Sequence, residues 1–99
     1  MTLQPSAILA EANVTITGAR EEEYGDKIVS FKRIATIWSA ILDVEVLPHQ
    51  VALCMAGLKI SRAAGNPTHH DSWVDIAGYA AIGATLAVHE DETKKTEPE

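Results

Sequence analysis

Two stretches of this chain, 51–58 (VALCMAGL) and 73–87, are apolar on nearly every side of a helix. Neither leaves a polar face for water, and helices of that kind are covered all round in a folded protein. The chain has 99 residues, room for one small domain and no second. Two short partner helices cannot cover both greasy ones. The shortage predicts a homo-oligomer, a dimer or tetramer, built on the third and fourth helices. Gly57, Gly78, Ala80, Ala81, Gly83 and Ala84 are small enough to let helices approach closely. The competing expectation is a monomer with a greasy surface patch.

The hydrophobic spacing predicts an all-α, four-helix, bundle-like domain over residues 1–88, with no sustained strand alternation. The first helix is expected over 5–17, with Pro5 in its first turn and Gly18 as its stop. Residues 19–26 (AREEEYGD) read as a polar loop, and Asp26 as the N-cap of a second helix over 27–42. That helix aligns Ile28, Phe31, Ala35, Trp38 and Leu42 on one face. A short extended connector, DVEVL, leads to a third helix over 48–64, stopped by Gly65, Asn66 and Pro67. The fourth starts at 70 or 71 and runs to 89. Residues 89–99 (HEDETKKTEPE) are expected to be a disordered acidic tail.

The net charge is −6, which argues against a nucleic-acid polymer as partner, because such binding rests on cations neutralising phosphates. The last eleven residues hold five of the acids and two of the lysines, so the body is only mildly acidic. One cysteine, Cys54, excludes an internal disulfide framework and reads as a buried, inert thiol. No run reaches the roughly twenty apolar residues of a membrane span, and the opening segment has no basic stretch ahead of its apolar one. The expectation is a cytoplasmic protein with no membrane partner.

Polar residues set into the greasy helices are the candidates for chemistry, since charges rarely sit on buried faces without a partner or a task. Lys59 and Arg62 stand three apart on one face of the third helix. Asp71, Asp75 and Tyr79 stand four apart along the fourth. Two acids at that spacing can share Mg²⁺, with Asp26 as a third ligand. Lys59 and Arg62 would then hold phosphate, and Tyr24 and Tyr79 would contact base or sugar. The plainer reading makes the same residues interhelix salt bridges, Lys59 or Arg62 with Asp71 or Asp75. Phe31 and Trp38 read as core, His70 as a helix start, and His49 and His89 as surface residues. No nucleophile elbow, P-loop or dinucleotide fingerprint is present.

The residues Tyr24-Gly25-Asp26, Phe31, Arg33-Ile34-Ala35, Trp38-Ser39, Lys59, Arg62, Asp71, Asp75 and Gly78-Tyr79-Ala80 together resemble a small domain of unknown function common in bacteriophages and prophages. That domain is more distantly similar to the all-α MazG-like nucleoside triphosphate pyrophosphohydrolases, helical oligomers that use helix-borne acids and Mg²⁺. The acids here depart from the MazG-like pattern, with Asp71 and Asp75 four apart rather than three. The resemblance implies a phage protein that recognises a small phosphorylated nucleotide. In a hydrolytic version, Asp75 would be catalytic through a metal-bound water. Two alternatives stand beside it: sequestration of a nucleotide signal of host defence without turnover, and a pure protein-interaction module.

Overall fold

The computed structural model describes residues 2–17 and 21–96, those of 21–26 and 95–96 as backbone only. Among the described residues there are four α-helices and no strand: α1 (Pro5–Thr17), α2 (Glu21–Leu42), α3 (Pro48–Gly65) and α4 (His70–Thr96). The first and third match the spacing within a residue. The second starts six residues earlier than 27. Its first turn opens with three glutamates, which are good helix formers, and a single Gly25 costs only about 1 kcal/mol there. Asp26 therefore lies inside α2 rather than at its N-cap. The fourth runs on to Thr96 through the charged stretch expected as tail, whose Glu and Lys also favour helix. Residues 97–99 lie outside the described residues.

Local chemistry sets the ends. Asp43 follows α2 at φ 55°, a left-handed conformation that Asp tolerates better than most residues. Ser39 Oγ donates to the Ala35 carbonyl at 2.7 Å and accepts the Val46 N–H at 2.8 Å, which pins the extended connector to α2. Pro48 occupies the first turn of α3, and the Gln50 side-chain oxygen accepts the Leu47 N–H at 2.9 Å. At the other end the Asn66 N–H returns to the Arg62 carbonyl at 2.9 Å.

The antiparallel pair α3–α4 is the best-packed unit. A Cβ on Gly83 would lie 3.2 Å from the Ala52 Cβ, so the two backbones approach as closely as small residues allow. At the open end of the hairpin, Glu90 accepts the His49 backbone N–H at 3.0 Å and pairs with its ring. α1 lies on α4 and α2 on α3. The core joins Phe31 and Ala35 of α2 to Val51, Ala52, Ile82 and Leu86 of the hairpin, with Trp38 half-buried against it. The result is a flat body of 57 × 29 × 20 Å, two helix layers thick. No helix among the described residues is long and apolar enough to cross a membrane.

Candidate functional site

A cavity of about 300 Å³ opens where the end of α1 meets the other three helices. Ile16, Phe31, Ile34, Met55 and Ile82 give it apolar walls, while Lys27, Ser30, Asp75 and Tyr79 supply polar groups. The cavity sits at the small end of the range for ligand sites. α4 presents Asp75, Gly78, Tyr79 and Ile82 on one stripe, as their spacing of three and four requires. Gly78 lets Ile16 of α1 close in on that stripe. The Tyr79 ring meets Phe31 edge-on, with centroids 6.2 Å apart, the arrangement aromatic quadrupoles favour.

The sequence candidates separate in space. Lys59 and Asp75 come together, with Nζ 3.1 Å from Oδ2 and both side chains half-buried. For this pair the interhelix salt bridge is the arrangement observed, and Asp75 also faces the cavity. Arg62 is exposed and lines no part of the cavity. Asp71 is also exposed, beside a shallow hollow between α1 and α4 that includes Glu11 and Val14. The side chains of Tyr24 and Asp26 lie outside the described residues. Cys54 is exposed rather than buried, because it points away from the α4-facing side of α3.

Asp75 is already faced by an ammonium, and among the described residues no group of three His, Cys, Asp or Glu is close enough to hold a metal ion. Magnesium favours several hard oxygen donors around it. Asp71 and Asp75 by themselves offer fewer donors than that, and the side chain of Asp26 lies outside the described residues.

Several polar contacts were not legible in the sequence. Lys27, expected only as the first residue of a helix, donates from Nζ to the Thr15 carbonyl at the end of α1. A cation there complements the helix dipole. His70 of α4 pairs with Glu11 of α1. His49, expected at the surface, is half-buried against Glu90. Ser72, 1% exposed, meets His69 Nδ1 at 2.7 Å. That contact closes the start of α4, and so little exposure keeps the hydroxyl from acting as a nucleophile. Trp73 has an exposed ring whose N–H donates to the Pro67 carbonyl at 2.8 Å. No sequence pattern pairs residues 41 or 59 positions apart.

A second hollow, about 780 Å³, runs between the C-terminal half of α2, the connector and the end of α4. It is larger, but it forms where α4 runs past its neighbours, and its rim mixes Lys32 and Lys94 with Glu45 and Glu90. The smaller cavity, with few polar groups converging over apolar walls, is the better ligand site.

The chain is similar to two curated phage proteins. The Gene 55 protein of Mycobacterium phage L5 is 44% identical over 87 residues, which make up 87% of this chain and 56% of that protein. The Gene 55 protein of Mycobacterium phage D29 is 39% identical over 85 residues, or 86% of this chain and 55% of that protein. The chain thus spans about half the length of the curated relatives it matches. No solved structure matches it. The model of a family described as a domain of unknown function, DUF6378, matches residues 7–87, so the segment from the first turn of α1 into the fourth helix is that domain, and this chain belongs to the DUF6378 family.

Proposed function

We propose that this chain is a phage-encoded binder of a small phosphorylated nucleotide, held in the interhelical cavity without turnover. One observation carries the reading: Asp75, Tyr79 and Lys27 line a single cavity whose remaining walls are apolar. Apolar walls suit the ring of a base. The Asp75 carboxylate would accept hydrogen bonds from base or sugar, since an ionised carboxylate is an acceptor only. Lys59, on the far side of that carboxylate, would hold it charged and in place. Lys27 would turn from the Thr15 carbonyl to the phosphate, a stronger, charge-assisted partner. Arg62, exposed one turn from Lys59, would act only on a phosphate reaching outside the cavity.

Two other readings remain as outcomes of the test. Mg²⁺-dependent pyrophosphohydrolysis on Asp71, Asp75 and Asp26 rests on the distant MazG-like resemblance alone. A pure interaction module, with the Lys59–Asp75 pair serving only the fold, needs no ligand at all. Each reading is compatible with a dimer or tetramer in the host cytoplasm.

The full chain should be titrated with nucleoside mono-, di- and triphosphates, with and without Mg²⁺, while thermal unfolding is followed and products are separated. Binding to the folded state alone stabilises it, by about 2.7 kcal/mol at a hundredfold excess over Kd. A raised melting temperature with unchanged nucleotide supports the proposal, and Tyr79→Ala should remove the shift. Mg²⁺-dependent products would replace it with the hydrolytic version. No response to any nucleotide would leave the interaction module.

A further inference from the structure

We infer that the outer face of the α3–α4 hairpin is the contact surface for a second copy of this chain. α1 and α2 cover one side of the hairpin and join its core. The other side is bare. Leu53 and Ile60 of α3 are 63% and 55% exposed, and Trp73 of α4 is 47% exposed. Between them lie Gly57, Ala80 and Ala84, all exposed. Over 51–64 and 72–88 the only charged residues are Lys59, Arg62 and Asp75. Lys59 and Asp75 point into the hairpin seam. Arg62, nine residues on from Leu53, projects about half a turn round α3 from it and lies off the stripe of Leu53, Gly57 and Ile60. The face is therefore uncharged over about four turns of each helix.

The occupant follows from area and charge. A folded monomer of this mass ordinarily exposes about 5,500 Å². This chain exposes 7140 Å², an excess of roughly 1,600 Å² over that expectation. Its radius of gyration, 15.2 Å, likewise exceeds the roughly 13 Å of a compact chain this long. A stable dimer of standard size hides about 800 Å² on each partner, about half of that excess, so the surface needed is available. Between two copies of a chain of net charge −6, a contact across an uncharged patch avoids bringing like charges together. Two hairpins stacked about a two-fold axis bring each small-residue stripe against the other copy's larger side chains, and four helices then enclose the face that one chain leaves wet.

Sedimentation equilibrium of the full chain at micromolar concentration should give twice the 10.7 kDa chain mass. Ile60→Glu should raise the dimer dissociation constant by at least about thirtyfold, as expected for a central interface residue. Gly57→Arg guards against misfolding, because an added Cβ at Gly57 meets nothing within 4 Å in the single chain. It should give a helical monomer by circular dichroism. Ile41→Glu, on the exposed side of α2, should leave the dimer intact. A wild-type monomer, a dimer that survives Gly57→Arg, or a dimer that breaks with Ile41→Glu overturns the inference.

Discussion

The two ends of the helical body are built differently. Around Leu86, Val51 and Ala52, all at most 1% exposed, three helices pack to contact and a glycine is needed to bring α3 and α4 together. Around Asp75 and Tyr79, four helices converge and leave a cavity, and α1 contributes a single buried residue, Ala12. The regions meet at Phe31 and Ile82, which belong to both the core and the cavity wall. A body this small buries little apolar area, so its stability must be concentrated where packing is tight. The looser end is then free to keep polar groups and space, which a ligand site needs and a core does not.

The largest expected effect tests that division directly. Leu86→Ala should destabilise by about 3 kcal/mol, the middle of the range for emptying a buried leucine site. Ile16→Ala, at the half-buried α1 contact, should cost about 1 kcal/mol, because a site open to solvent leaves a smaller cavity. Urea unfolding of the two variants gives both numbers, and equal costs would erase the distinction between the ends.

The charged seam comes next. Asp75→Asn leaves the Lys59 ammonium without its partner, and both side chains keep partial access to water. The expected loss is about 1 kcal/mol, discounted toward the surface-pair range. If nucleotide binding is lost at that small cost, Asp75 serves the cavity. A loss of several kcal/mol, with ligand binding tracking only the folded fraction, would make the pair a structural clasp and nothing else.

Periodicity revealed the helices because apolar spacing and caps such as Pro5, Pro48 and Asn66 are local properties. It misplaced the start of α2 and the end of α4 for one reason: charged runs read as solvent-facing segments whether or not the backbone is helical. The candidate site was half visible. Asp75 and Tyr79 stood out as polar groups on an apolar helix, and the structure puts both on the cavity wall. Lys27, their neighbour across it, follows Asp26 in a polar run and carried no such contrast. Arg62 and Asp71 shared the right helices and spacing, but each lies off the cavity, since a spacing of three or four tolerates a face wide enough to reach past it. Cys54 shows the same limit, because an apolar surrounding sequence does not say which side of a helix is covered.

The smallest effect separates the two ends most finely. Gly83 and Gly78 both lie in α4, and replacing either with alanine should gain about 1 kcal/mol of helix propensity. What the new methyl meets differs. At Gly83 it lies 3.2 Å from the Ala52 Cβ, an atom that cannot rotate away and belongs to a helix locked in the core. At Gly78 the nearest atom is Ile16 Cγ2 at 3.4 Å, the end of a half-buried side chain on the more loosely held α1. Overpacking a rigid contact costs about 1–3 kcal/mol, enough to cancel or reverse the helix gain, whereas a side chain that can shift gives up little. Gly78→Ala should therefore be neutral to stabilising and Gly83→Ala destabilising, read as midpoints of thermal unfolding. The reverse order would mean that α1 is held as rigidly as α3, and that the space beside Tyr79 is not kept by loose packing.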